Sequence, residues 1–343
     1  MNESDARHAT QDLSGGGAGK VAYAVAGEGD AQQRLDNYLM RIWRRVPKSH
    51  IYRLVRKGEV RINGKRAKPD QRLQVGDKVR LPPIRVEQIE GPLPPSASLK
   101  TLIQGAVIFE DDELLVINKP AGVAVHGGSG LSHGVIEALR AARPELKELE
   151  LAHRLDRETS GCLLIAKRRA ILRELHAQLR ERSMDKRYLA LLCGKWTLGS
   201  KMLTQPLKTN EKQGGERIVR VHPEGQSAES TFKKITGYGG LATLMEVHIG
   251  TGRTHQIRVH AAYAGHPVAG DEKYGDKVAN EALKAYGLRR MFLHAQSLSF
   301  SRRGGELFTV TAPLDAELQS VLDRLAAATA KKAPHAAKRP STK

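Results

Sequence analysis

The chain has 343 residues, with 56 Lys and Arg against 37 Asp and Glu, a formal net charge of +19. That length suffices for two domains, one with a substantial core, and the charge favours a polyanionic partner, nucleic acid ahead of an anionic membrane. The sequence offers no apolar run of membrane-spanning length and no apolar leader core, and its two cysteines, Cys162 and Cys193, read as reduced thiols of a cytoplasmic protein.

Residues 1–33 carry two basic and five acidic groups and read as a flexible tail. Within it SGGGAGK, Ser14 to Lys20, lacks both the spacing and the preceding apolar strand of a phosphate loop. In RLDNYLMRIW the apolar Leu35, Tyr38, Leu39, Ile42 and Trp43 recur at helical spacing, with arginines opposite. Ser49 can cap a second short helix that turns Ile51, Leu54 and Val55 inward and stops at Gly58. Asn63-Gly64 is a strong hairpin signal, and LQVGDKVRLP predicts a further strand pair turning at Gly76-Asp77. From Arg34 to Arg85, 16 Lys and Arg stand against 4 Asp and Glu. So small a unit would repel itself without a polyanion, and 34–85 is read as an RNA-binding module.

GPLPPSAS, Gly91 to Ser98, marks a linker over 86–100. From 101 to 328 strand-like runs dominate: AVIFE, ELLVINK, CLLIAK, RYLALLCG, ESTFKKI, ATLMEVHI, FLHAQSLSF and ELFTVTA. Helical patterns are fewer, the clearest being VIEALRAA, ILRELHAQLRER, THQIRVHAAYAG and ELQSVLDRLAAA. That balance predicts an α+β domain on a mixed or antiparallel sheet, not a doubly wound parallel one. A basic tail, 329–343, closes the chain, with five positive charges and no acid between Lys331 and Lys343.

Four stretches set charged and small residues at the ends of apolar strands, where sites are usually built. They are Ile117 to Gly130 (INKPAGVAVHGGSG), His153 to Gly161 (HRLDRETSG), Asp185 to Leu192 (DKRYLALL) and Gly250 to His260 (GTGRTHQIRVH). Asp156, between Arg154 and Arg157 and just ahead of an apolar strand, has the setting of a carboxylate held at a cleft mouth. Zinc would want CxxC or HExxH, and a methyltransferase a glycine-rich cofactor turn; neither pattern occurs. A glycosidase pair of Asp156 with Glu158 would leave the basic module unexplained.

Through RLDNYL, the S..IYRLVRKGEVRING run and VGDKVRL, residues 34–85 resemble the S4 domain, which implies binding to structured RNA. Its candidate RNA contacts are Arg34, Lys48, Arg53, Arg56, Lys57, Arg61 and Lys65. The KPAG loop, HRLDxxTSG, KxYLAL and RTHQIRVH followed by GHPVAGDEKYG resemble the RluA-type pseudouridine synthases, over essentially all of 34–325. The resemblance implies isomerisation of uridine to pseudouridine with no cofactor and no metal. It implies Asp156 as the essential carboxylate, a cation beside it assigned to Arg253 with Arg258 as second choice, and Tyr188 against the uracil face. Ile257 would pack on the base, and Arg154 would fill the gap left when the nucleotide flips out; His153 and Lys119 join them as candidate RNA contacts. In VPKSHIYRLVRKGEVRING, AVHGGSGLSHGVIEALRA and GERIVRV the chain is most similar to family members that act on 23S ribosomal RNA. That implies a few target uridines near the peptidyl transferase region, on free RNA or an assembling large subunit. A monomer with no membrane partner is expected. The alternatives are the same chemistry on other rRNA or tRNA uridines, and a non-catalytic S4-type assembly factor. Asp156 and Tyr188, both present in their motifs, speak against the latter.

Overall fold

The computed structural model describes residues 21–43, 46, 48–83, 94–127, 133–213 and 216–332. The predicted tail segments 1–20 and 333–343, residues 84–85 of the predicted RNA-binding module and 86–93 of the linker lie outside the described residues. The chain divides into two compact units between Leu93 and Pro94.

The N-terminal unit contains β1 (Ala22–Val25), α1 (Leu35–Ile42), α2 (Lys48–Lys57), β2 (Arg61–Ile62), β3 (Lys65–Arg66) and β4 (Lys78–Leu81). Leu35 and Leu39 of α1 and Ile51, Leu54 and Val55 of α2 pack on Ile62, Val79 and Leu81 of the sheet. Gly58, at φ +74°, stops α2 in the left-handed region, and Asn63 and Gly64, both at positive φ, turn the β2–β3 hairpin. Two expectations are corrected. The antiparallel sheet runs β1-β4-β2-β3, so β4 pairs with β1, a strand inside the predicted tail. The segment before Gly76-Asp77 forms no strand with β4. There the Ala26 backbone exchanges hydrogen bonds with Gly76 and Asp77, and the Asp77 carboxylate accepts from the Gln74 amide and the Asn63 side chain.

The C-terminal unit begins with α3 (Ala97–Gly105), which starts within the predicted linker and is capped by the Ser96 hydroxyl on the Leu99 amide. There follow β5 (Val107–Glu110), β6 (Leu114–Lys119), α4 (Val135–Ala142), β7 (Glu150–Leu151), β8 (Ser160–Ala166), α5 (Arg169–Glu181) and β9 (Asp185–Cys193). Then come β10 (Lys201–Leu203), β11 (Leu207–Gln213), β12 (Glu216–Val221), β13 (Ser230–Tyr238), β14 (Ala242–Ile249) and α6 (Gln256–Tyr263). The unit ends with α7 (Lys277–Lys284), β15 (Leu293–Ser301), β16 (Leu307–Thr311) and α8 (Ala316–Lys332).

The main sheet runs β10-β13-β14-β9-β15-β8-β6-β5, with β16 beside β15 and β7 beside β8. Its pairs are antiparallel except β15 with β8, a mixed sheet in an α+β unit. Both faces are covered. On β6, Leu115 and Ile117 join α3, α4 and α6 residues in one core, while Leu114 and Val116 join α5 residues in another. The apolar run in β8 is thereby explained, since all seven of its residues are buried. Cys162 and Cys193 are free, buried thiols within these layers, each pushed up to about 11 by burial. β11 and β12 form a two-stranded sheet of their own, which rests on α6 through Leu207, Val219 and Val259.

Candidate active site

Two sheet neighbours bring the first two site residues together. Tyr188 of β9 lies opposite Ala295 of β15, and Ala295 lies opposite Gly161 of β8, a few residues after Asp156. The row closes tightly at Gly161, which sits at φ +109°, where a Cβ would stand 2.2 Å from the Ala295 carbonyl oxygen. No side chain fits, and this is the physical reason for a glycine after Thr159-Ser160.

The Asp156 loop is fixed from both flanks. Lys119, fully buried at the end of β6, donates from Nζ to the carbonyls of Pro120 (2.7 Å), Val123 (2.8 Å) and Arg157 (3.0 Å). Burial pulls this lysine down to about 7, against the opposing charges of Glu158 and Asp156. Three acceptors nonetheless match the three donors of an ammonium. The Gly122 amide adds a bond to the Arg157 carbonyl, and Arg157 Nε returns one to the Gly122 carbonyl. On the other flank the Leu164 amide donates to His153 Nε2 at 3.1 Å, and burial, then the Lys186 charge, pushes His153 down to about 4. Lys119 is therefore scaffold for the loop, and the expectation that it contacts RNA is corrected; His153 is half-buried and braces the same loop through Nε2.

Asp156 itself lines an open cleft with Tyr188, Ile257, Arg154, Arg253, His255 and Arg258. Its side chain is 17% exposed, accessible yet against protein. The cation beside it is Arg258, whose Nη1 lies 3.3 Å from Asp156 Oδ2. Arg253, the expected partner, is exposed at the cleft and gives its Nε to the Ser227 carbonyl. The correction follows from where α6 starts. Gln256 accepts from the Thr251 hydroxyl and the Arg253 amide and donates to the Glu229 carbonyl and Ser230 hydroxyl, which holds Thr251 to Arg253 as a loop. His255 caps the helix in the left-handed region, so the helix begins at Gln256 and Arg258 falls in its first turn.

Arg258 is buried, and a bidentate pair orients it: Nε and Nη2 meet Asp271 Oδ2 and Oδ1 at 2.7 and 2.9 Å. Burial opposes its charge, but the Asp271 hydrogen bonds, then the Asp271 and Asp156 charges, raise its pKa. Asp271 is fully buried, and its Oδ1 also accepts from the Lys273 and Tyr274 amides. The Tyr274 ring lies under the Arg258 guanidinium, 5.0 Å from ring centre to Cζ. Asp271, Tyr274 and His255 were not assigned from the sequence. The quoted GHPVAGDEKYG run held the signal, an acid and an aromatic a few residues beyond the arginine helix.

Tyr188 is buried against the cleft, its phenol raised first by burial and then by the Asp156 charge, so it stays a protonated donor. Ile257 supplies a buried apolar wall and Arg154 an exposed guanidinium at the same cleft. In the N-terminal unit Lys48, Arg53, Arg56, Lys57, Arg61 and Lys65 are exposed, while Arg34 is engaged with Asp36 at 2.8 Å. Among the described residues, no group of three or more His, Cys, Asp or Glu is placed to hold a metal ion.

A sequence model of the family described as RNA pseudouridylate synthase matches residues 113–263, and one of the S4 domain matches residues 33–79. The chain is 52% identical to the ribosomal large subunit pseudouridine synthase C of Pasteurella multocida over 307 residues, 89% of this chain and 94% of that protein. It is likewise 52% identical to the protein of the same name from Escherichia coli K12, over 86% of this chain and 94% of that one. Among solved structures it is similar to human RNA pseudouridylate synthase domain containing 4, with a TM-score of 0.56 and 25% identity. That likeness covers 67% of this chain and 96% of the human one.

Proposed function

We propose, from the premise that the chain belongs to the RNA pseudouridylate synthase family, that it converts a few uridines of 23S ribosomal RNA to pseudouridine. The observation that carries this reading is Asp156 at the cleft, paired with an arginine that a second, buried carboxylate locks in place. The half-identity to the two large-subunit synthases over nearly their whole length supports the choice of RNA.

In uridine the base hangs from C1′ through N1, in pseudouridine through C5. The N1–C1′ bond breaks, a C5–C1′ bond forms, C5 loses its proton and N1 gains one, so the composition is unchanged. The target nucleotide must first leave its stack, at a cost of a few kcal/mol. Arg154, exposed beside the carboxylate, takes the vacated place in the RNA, and Ile257 and Tyr188 receive the base. Asp156 presents its carboxylate to the nucleoside, and Arg258 fixes that group's position and balances its charge. The exposed cations of the S4 domain supply phosphate contacts, which give affinity with little base readout. The enzyme works as a monomer in the cytoplasm, a reading supported by a site assembled within one chain and by two buried free thiols.

Carbodiimide treatment and primer extension across 23S rRNA, after incubation with the protein or with Asp156→Asn, tests this reading. New stops at a few uridines with the unaltered protein alone are expected. An absence of stops on naked rRNA and on immature large subunits would remove 23S rRNA as the substrate.

A further inference from the structure

His255 lines the cleft beside Asp156, and the reading above gives it no role. Its Nε2 lies 3.8 Å from Asp156 Oδ2, and its Nδ1 is 2.8 Å from the Tyr274 hydroxyl. That hydroxyl also accepts the Val219 amide of β12 at 2.9 Å. A phenol has one proton to give, and among the described residues His255 Nδ1 is the acceptor in reach of it. Burial lowers the pKa of the imidazole in spite of the Asp156 charge, and a neutral ring that accepts the Tyr274 proton on Nδ1 carries its own on Nε2, the nitrogen that faces the carboxylate.

We propose that His255 is a positioning residue for Asp156: Tyr274 fixes its tautomer, and its Nε2–H, together with Arg258, anchors carboxylate oxygen Oδ2 and leaves Oδ1 as the oxygen that meets the nucleoside. This inference rests on the synthase reading and deepens it. Both charged and polar contacts to Asp156 converge on the same oxygen, Arg258 at 3.3 Å and His255 at 3.8 Å. The second distance is longer than a hydrogen bond, and contacts of this kind tighten when substrate closes a site. The ring is held in a strained place, at φ +54°, edge-on to Tyr274 with centroids 5.5 Å apart. A non-glycine residue in the left-handed region signals a constraint that the surroundings maintain. The groups that face the imidazole are Asp156 from the loop before β8, Arg258 from its own helix, and Asp271, Lys273 and Tyr274 from the segment after it. Through Tyr274 the same chain of contacts reaches the β11–β12 hairpin, so hairpin placement and carboxylate orientation are coupled.

Substitutions at His255 separate positioning from mere anchoring. A glutamine amide nitrogen stands near the place of Nε2 and can donate to Asp156. An asparagine oxygen stands near Nδ1 and can accept from Tyr274, and asparagine suits the left-handed backbone better than other non-glycine residues. The expected result is a loss of roughly 10²-fold in kcat for His255→Ala, with KM nearly unchanged, because a carboxylate misplaced by about 1 Å costs about that much. His255→Gln is expected to recover most of kcat, and His255→Asn to stay low despite its better backbone fit. Recovery by Asn with failure by Gln, or full activity in Ala, would overturn the proposal. Nitrogen-15 NMR of the histidine rings in the intact protein gives a readout apart from turnover, the His255 signals being identified by their loss in His255→Gln. A neutral Nε2–H ring whose tautomer preference disappears in Tyr274→Phe supports the proposal, whatever RNA is the substrate. A ring protonated on Nδ1, or one unaffected by Tyr274→Phe, overturns it. Loss of turnover on 23S rRNA by the unaltered protein would instead count against the substrate reading alone.

Discussion

Arg258 and Arg253 separate sharply in what their replacement should do. Arg258→Lys keeps a charge but cannot hold Asp271 with two parallel bonds while reaching Asp156, so kcat should fall by roughly 10²-fold with RNA affinity little changed. Arg253→Ala, which removes an exposed side chain bonded to a carbonyl, should act mainly on KM. Steady-state kinetics on an rRNA fragment checks both. The sequence allowed a cation from the RTHQIR stretch to meet Asp156, but choosing between the two depends on the first residue of α6. The side-chain bonds of Gln256 decide that, and no periodicity reports it. Lys119 was equally ambiguous. A lysine before a proline-glycine loop looks like a phosphate ligand until its three carbonyl partners are seen. Lys119→Met should take the Nζ donor away from all three carbonyls, leaving that of Arg157 its bond from the Gly122 amide, and destabilise the C-terminal unit by about 3 kcal/mol, measurable by urea unfolding.

Strands and helices were legible where burial was two-sided or strongly patterned. The run in β8 and the spacing in α1 and α2 follow directly from their packing. β1 was not legible, since two of its four residues, Tyr23 and Val25, are exposed and its partner β4 lies more than fifty positions away. α3 was obscured by the proline- and serine-rich stretch that precedes it. At this scale Gly161→Ala should cost about 4 kcal/mol or more, because a Cβ would displace the Ala295 carbonyl between β8 and β15. The start of α1 gives a pH test. Hydrogen bonds from Arg34, then Tyr52 and the Asn37 amide, pull the buried Asp36 from 3.8 to about 2. A depressed carboxyl binds fewer protons in the folded state, so its stabilisation is complete above pH about 4 and is lost as pH falls toward 2. Asp36→Asn should therefore be less stable than the unaltered protein at pH 7, with the difference shrinking through that window in denaturant titrations.

For the molecule as a whole, charge and chemistry are divided between two units. The S4 domain carries the exposed cations of α2, and the synthase domain carries a cleft built from β8, β9, α6 and their loops. Affinity should then fall steeply with salt, and Arg56→Ala with Lys57→Ala should lower the slope of log K against log salt by about 2, since each lost phosphate contact removes about 0.9. The division was visible in the distribution of charge along the chain, whereas the site needed the fold, because Asp156 and Arg258 are 102 positions apart. The most direct test of the account is tritium release from 23S rRNA labelled at uridine C5, under single turnover, with RNA binding measured on the same samples. Release by the unaltered protein and none by Asp156→Asn, with RNA affinity equal in the two, is the predicted result. Release by Asp156→Asn at a comparable rate would contradict it, because the carboxylate that Arg258 holds would then not be the group that moves the base.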